Sequence, residues 1–166
     1  MADDLKLVVM GVTSTGKTEV GQRLAARLDG RFIDGDDLHP PANVAKMAKG
    51  IPLEDADRWP WLDSVGEALA ATEGTVVIAC SALKRAYRDR IRDAAGAVRF
   101  VHLTGPKSVI AERMKRRTGH FMPLSLLDSQ LATLEPPRPD EDAVEADLRK
   151  APAELAAAIV KKLGAD

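Results

Sequence analysis

The chain has 166 residues, 45% of them hydrophobic and 30% charged, which is enough to bury a core and too apolar for a disordered chain. Its 24 basic and 25 acidic side chains leave a formal charge of −1, so no long-range field draws it to nucleic acid or an anionic membrane, and any anion must be captured locally. Cys80 is the single cysteine, which excludes an internal disulfide and leaves a cysteine-based zinc site without its ligands.

The opening Met1-Ala2-Asp3-Asp4 is acidic and runs directly into a short apolar stretch, unlike the basic start and long apolar segment of a secretory signal. No later segment approaches the roughly 20 apolar residues that span a bilayer. The expectation is a single cytoplasmic domain over 1–166, with no internal repeat and no low-complexity linker.

Residues 5–10 are dense in apolar β-formers and end at Gly11, the pattern of a strand buried on both faces. A helix over 17–28 follows, with Val20, Leu24, Ala25 and Leu28 on one stripe. Residues 31–34 read as a very short strand, and Pro40 and Pro41 suit the first turn of a helix carrying Val44 and Met47. A longer helix over 55–71 puts Trp61, Leu62, Val65 and Leu69 on one side. Residues 75–80 are the clearest buried strand. Helix 82–95, strand 98–103 and helix 106–118 come next; a helix restarting at Pro123 or Ser125 runs to about 134. Pro136, Pro137 and Pro139 make 134–142 a loop, and a short strand over 143–146 precedes the terminal helix 153–163. Strands alternating with helices predict parallel pairing through right-handed crossovers, hence an α/β sandwich with its ligands beyond the carboxyl ends of the strands.

Gly11-Val12-Thr13-Ser14-Thr15-Gly16-Lys17-Thr18 fits G-x-x-x-x-G-K-[ST], and it sits where a buried strand stops and an amphipathic helix starts. Gly11 and Gly16 let the backbone turn so that successive amides, those of Thr13, Ser14 and Thr15 among them, face phosphate oxygens. The helix beginning at Lys17 adds its positive end, Lys17 a mobile charge for the β- and γ-phosphates, and Thr18 a hydroxyl for Mg²⁺. The plain alternative is a strand–loop–helix turn with a solvated lysine.

Many proteins with this loop place a metal-organising carboxylate at the end of another buried strand, but 75–80 runs into Ser81 and 98–103 into Thr104. The substitute is Phe32-Ile33-Asp34-Gly35-Asp36. Residues two apart in an extended chain point the same way, so Asp34 and Asp36 both face the crevice, Asp36 as the base for an attacking hydroxyl and Asp34 as an outer-sphere partner of Mg²⁺. An acidic turn followed by a helix cap is the competing reading.

With these segments placed, the sequence resembles the gluconokinase family of small-molecule P-loop kinases. The match rests on Gly11 through Thr18; on Phe32-Ile33-Asp34-Gly35-Asp36-Asp37-Leu38-His39-Pro40; on Asp57-Arg58-Trp59-Pro60-Trp61-Leu62; on Ala79-Cys80-Ser81-Ala82-Leu83-Lys84; and on Gly119-His120-Phe121-Met122-Pro123 with Gln130 and Leu134-Glu135-Pro136-Pro137. The resemblance implies a three-layer α/β/α P-loop kinase fold like that of shikimate kinase, with a central five-stranded parallel sheet, a mobile helical lid over about 113–134, and commonly a homodimer. It also implies transfer of phosphate from ATP, with Mg²⁺, to the terminal hydroxyl of D-gluconate.

Such an acceptor has a carboxylate at one end and hydroxyls along its length, so its pocket needs a cation far from the phosphate and polar groups between. Arg58, Lys84, His39 and Arg88 are available, and Arg58 suits the carboxylate because guanidinium engages it bidentately. Arg58 is otherwise a surface partner of Asp55 and Asp57. His39 either hydrogen-bonds a sugar hydroxyl or caps the turn before Pro40. Ser81 and Lys84 lie just past a buried strand, although Lys84 also suits a solvated helix. Cys80 reads as a small buried apolar side chain.

Residues 113–117 carry four cations, Arg113, Lys115, Arg116 and Arg117, near a helix end, where the helix dipole accounts for part of the clustering. Phosphoryl transfer also needs positive charge on the equatorial oxygens, and Gly119 offers a hinge for a closing segment. Arg113 and Arg117, one turn apart, are the phosphate contacts expected from this segment, and His120 either joins the lid or packs at its turn. Kinases for other small hydroxylated acceptors such as shikimate or a nucleoside monophosphate, and an ATP-binding regulator without transferase activity, are the remaining function classes.

Overall fold

The computed structural model describes residues 4–116 and 124–164. Five strands, β1 (Lys6–Met10), β2 (Arg31–Asp34), β3 (Val76–Ala79), β4 (Arg99–Thr104) and β5 (Val144–Asp147), form one parallel sheet in the order β2-β3-β1-β4-β5. The helices are α1 (Lys17–Arg27), α2 (Pro41–Ala48), α3 (Asp55–Ala71), α4 (Arg85–Ala95), α5 (Lys107–Arg116), α6 (Leu124–Thr133) and α7 (Pro152–Leu163).

Strand alternation divides the core between two layers. Leu7 and Val9 join Val77, Val101 and Leu103 against α1 and α7, meeting Val20, Leu24, Leu155 and Ile159. Val8 and Met10 point the other way with Ile78 and Phe100, against Trp61, Leu62, Val65 and Leu69 of α3 and Tyr87 and Ile91 of α4. Both faces of β1 are therefore fully covered, which is why its sequence is an unbroken apolar run rather than an alternating one. A third apolar cluster, Val12, Leu83, Ile110, Met114, Leu127 and Leu148, seats α5 and α6 beside the loop that follows β1.

The expected three-layer α/β architecture and five-stranded parallel sheet are present, and most element ends agree within a residue or two. The clear exception is the helix expected from 82. Ala82 takes φ +45°, a left-handed conformation that cannot continue a helix, and α4 begins only at Arg85. Residues 80–84 thus form an open rim beyond the carboxyl end of β3, with Lys84 at the helix cap. No helix among the described residues is long and apolar enough to cross a membrane.

Candidate active site

The loop after β1 wraps into a cradle at the carboxyl edge of the sheet. Gly11 has φ +152°, and a Cβ there would lie 2.8 Å from Leu103 O, so only glycine fits where the strand turns. Gly16, at φ +92°, caps α1. Thr15 is buried and its hydroxyl donates to Val12 O (2.9 Å), while Lys17 Nζ folds back onto Gly11 O (3.0 Å) and Val12 O (2.8 Å). The lysine ammonium is thereby held over the mouth of the loop. Thr13, Ser14, Thr15, Gly16, Lys17 and Thr18 all line one cavity of about 730 Å³, which Asp34, Asp36 and Ser81 wall on the opposite side.

Asp34 and Asp36 both reach this cavity, by a different geometry from strand alternation. β2 ends at Asp34, and Gly35–Leu38 coil into a short 3₁₀ turn that Asp34 caps: Asp36 N donates to Asp34 Oδ1 at 3.0 Å. The cap and the crevice carboxylates are thus the same residues. Gly35 makes this possible, because its backbone lies against β3 where a Cβ would come within 2.4 Å of Ala79 O. Trp61 Nε1 donates to Gly35 O (2.8 Å) and pins the turn to α3. Beneath it, burial pushes the Cys80 thiol up to about 12, with the charges of Lys17, Asp36 and Asp34 acting on it more weakly. Cys80 is a protonated packing residue, not a nucleophile.

Beyond Asp36 the site continues as a polar strip. His39 stacks on Trp61 (centroids 4.1 Å apart, 15° between planes), and burial lowers its pKa, partly offset by the negative charge of Asp36 and reinforced by the positive charge of Arg58. Its imidazole stands electrostatically between those two side chains. Arg58 and Lys84 do not line the phosphate cavity; they meet over the ring of Tyr87, with Arg58 Cζ 5.5 Å and Lys84 Nζ 5.6 Å from its centroid. Asp55 joins both cations, 3.3 Å from Arg58 NH1 and 3.7 Å from Lys84 Nζ.

Arg88 is not available to an acceptor. Its side chain is 0% exposed and its donors are consumed by Ala82 O, Leu83 O, Glu135 O and both oxygens of Glu141. Arg113 faces the cradle, bonding to Leu148 O and, at 3.4 Å, to Thr15 O. Arg116 points outward to Glu112, its side chain 77% exposed. Arg117, Gly119 and His120 lie outside the described residues.

A family model described as an AAA domain matches residues 7–137. A gluconokinase from Gluconobacter oxydans (strain 621H) is 52% identical over 150 residues, covering 88% of this chain and 84% of that protein. The chain belongs to the gluconokinase family. The crystal structure of a gluconokinase from Sinorhizobium meliloti 1021 superposes with a TM-score of 0.88 at 50% identity, covering 99% of this chain and 94% of that one. Shikimate kinase from Aquifex aeolicus shares the fold at 17% identity, with a TM-score of 0.62 and coverage of 95% of both chains.

Three residues around this candidate site carry too little signal in the sequence to be assigned roles there. Gln130 Oε1 accepts from Thr13 N (2.7 Å), tying α6 to the cradle from 117 residues away. Tyr87 is an apolar-face residue of α4 by its spacing, yet its hydroxyl leaves the core to donate to Asp55. Asp55 reads as an ordinary helix-start acid and is instead the meeting point of Arg58, Lys84 and Tyr87.

Proposed function

We infer that this chain is an ATP-dependent gluconokinase, transferring the γ-phosphoryl group of ATP to the terminal hydroxyl of D-gluconate to give 6-phospho-D-gluconate. The observation that carries this reading is the order of charges along the crevice. Lys17 and the cradle amides come first, then Asp34 and Asp36, then His39, then the paired cations Arg58 and Lys84. An acceptor laid along that strip has a hydroxyl at the carboxylates and a carboxylate at the cations, which is the charge pattern of a sugar acid.

Within this reading the amides of Ser14, Thr15 and Gly16 hold phosphate oxygens, joined by that of Thr13 when Gln130 Oε1 releases it, while Gly11 makes the turn with its own amide on Ser81 O; Lys17 swings from Gly11 O and Val12 O onto the β- and γ-phosphates. Asp36 takes the proton of the attacking hydroxyl as its oxygen bonds to the γ-phosphorus and the bond to the β–γ bridging oxygen breaks, releasing ADP. Thr18 and Asp34 suit a Mg²⁺, since a hydroxyl and a carboxylate beside a phosphate cradle match an ion that keeps several waters. Bound there, the ion would neutralise phosphate charge. Arg113 and Arg117 offset the equatorial oxygens, His39, Ser81 and His120 contact acceptor hydroxyls, and Arg58 with Lys84 holds the carboxylate.

The same reading makes residues 1–166 one cytoplasmic kinase domain whose segment 113–134 closes over the nucleotide. It acts as a homodimer on a small molecule, without nucleic acid or membrane. Val44 and Met47, one turn apart on α2, are exposed apolar side chains that support self-association. Coupled ADP release with D-gluconate, shikimate and nucleoside monophosphates tests the activity. Turnover restricted to gluconate is expected, and a preparation that binds ATP but leaves gluconate unphosphorylated would overturn it.

A further inference from the structure

We propose that Asp55 is a built-in stand-in for the acceptor's carboxylate, occupying the seat formed by Arg58, Lys84 and Tyr87 until a sugar acid displaces it. The proposal deepens the gluconokinase reading and rests on it.

Three donors, one from α3 and two from the start of α4, converge on this one carboxylate. Asp55 Oδ1 accepts from Tyr87 OH at 2.5 Å and from Arg58 NH1 at 3.3 Å, and Oδ2 lies 3.7 Å from Lys84 Nζ. Arg58 lies on α3, Lys84 on the rim beyond β3 and Tyr87 on α4, and both cations rest over the Tyr87 ring. Such a set of donors is shaped for a carboxylate whatever molecule brings it.

Asp55 fills the seat while no acceptor is bound. Two cations over one ring repel each other, and a carboxylate between them offsets that repulsion until an incoming anion takes its place. The Tyr87 bond, chiefly, holds Asp55 below the usual carboxylate range, while burial first and Asp55 second push Tyr87 up to about 12. The pair therefore persists at neutral pH as a carboxylate and a phenol donor.

Asp55 is also free to leave. Its side chain is 46% exposed, so rotation returns it to water. Asp57, two residues on, is instead anchored by Lys46 Nζ (2.8 Å) and Glu54 N (2.9 Å) and cannot substitute for it. A sugar acid replaces the lost contacts of Asp55 with equivalent ones. A neutral polyol of the same length cannot, so it leaves Asp55 in place and gains nothing from the seat.

The test is gluconate binding by calorimetry with a non-hydrolysable ATP analogue, using wild type, Asp55→Asn, Asp55→Ser, Arg58→Met and Lys84→Met, with D-glucitol as the neutral acceptor. Removing the competing charge should tighten gluconate binding by about threefold to fivefold in both Asp55 variants, the upper part of the range of one partly exposed ion pair. Glucitol affinity should stay within about twofold, and thermal melts confirm that each variant is folded. Weaker gluconate binding in folded Asp55→Asn and Asp55→Ser would overturn the proposal, since Asp55 would then orient the cations or touch the acceptor itself. If the Arg58 and Lys84 variants bind gluconate normally, the seat is elsewhere and the proposal falls while the kinase reading stands. If wild type neither binds nor phosphorylates gluconate, both fall.

Discussion

Arg88 Nε donates to Glu141 Oε1 at 2.7 Å with neither side chain reaching solvent, at 0% and 1% exposure. The pair closes the 134–142 loop onto the rim that carries Ser81 and Lys84, because the same guanidinium binds Ala82 O, Leu83 O and Glu135 O. Burial alone would raise the Glu141 pKa, but bonds from Arg88, Arg92 and Arg138 N overcome it and hold the carboxyl at about 2.

Arg88→Met should therefore cost roughly 3–5 kcal/mol in urea unfolding, since it leaves a buried carboxylate with only Arg92 and Arg138 N and strips the donor from Ala82 O, Leu83 O and Glu135 O. The paired variant Arg88→Met/Glu141→Met should recover much of that stability, because well-packed apolar replacements for a buried ion pair are often neutral. The pH dependence follows from the depressed carboxyl. Its contribution is present above the unfolded glutamate value of about 4.3 and is lost as pH falls through about 2. Glu141→Gln should flatten the stability curve across that window, and an unaltered acid limb would contradict this.

Gly35→Ala should lower turnover by tenfold or more on the order of a misplaced catalytic group. The added Cβ meets Ala79 O at 2.4 Å, and a strand carbonyl cannot move aside as a side-chain tip can. The 3₁₀ turn must shift instead, carrying Asp34 and Asp36 with it. Overpacking of this kind costs roughly 1–3 kcal/mol, which at this chain length lowers the melting temperature by about 3–10 °C. Wild-type kinetics in a folded variant would show that the position of the turn is unimportant.

Asp36→Ala should bind ATP normally yet lose roughly two or more orders of magnitude in turnover, the usual size of a general-base effect. Asp34 caps the Asp36 amide, so Asp34→Asn keeps the turn and should mainly raise the Mg²⁺ concentration needed for half-maximal rate. Near-normal turnover in Asp36→Ala would remove it from the base role.

The phosphate cradle and the layer architecture were legible because each is a local pattern repeated in spatial form. The Gly11–Thr18 motif sits between an apolar strand and an amphipathic helix, and the uninterrupted Leu7-Val8-Val9-Met10 run is what a strand covered on both faces requires. The acceptor side was legible only in part. Arg88 reads in the sequence as a cation available to the acceptor because nothing in α4 signals that Glu141, 53 residues away, meets it in the interior. Ala82 gave no sign of the left-handed backbone that delays α4, since that conformation is imposed by the packing of the rim and not by alanine's own preference.

His39 supplies the last prediction, because its hydrogen bonds fix its tautomer. Asn43 Nδ2 donates to Asp57 O at 2.9 Å, which only accepts, so the same amide nitrogen 3.1 Å from His39 Nδ1 is also a donor. Nδ1 therefore accepts, and the neutral ring carries its proton on Nε2, free to donate to an acceptor hydroxyl. Burial, chiefly, holds the pKa below the ordinary value, so this neutral form prevails at pH 7. Protonation would set an Nδ1–H against the Asn43 donor. In the unfolded chain the imidazole takes up a proton at about 6.5, so the stability linked to His39 is full above that value and declines as pH falls through the lowered folded pKa. His102, also lowered by burial, acts in the same direction and remains in any His39 variant. The gluconate KM should rise only as pH falls below the ordinary imidazole value of about 6.5 and through the lowered folded pKa, and His39→Gln, which keeps a side-chain donor without the titration, should flatten that rise. A KM profile of unchanged steepness in His39→Gln would assign the acid sensitivity to another group and leave His39 as a packing partner of Trp61.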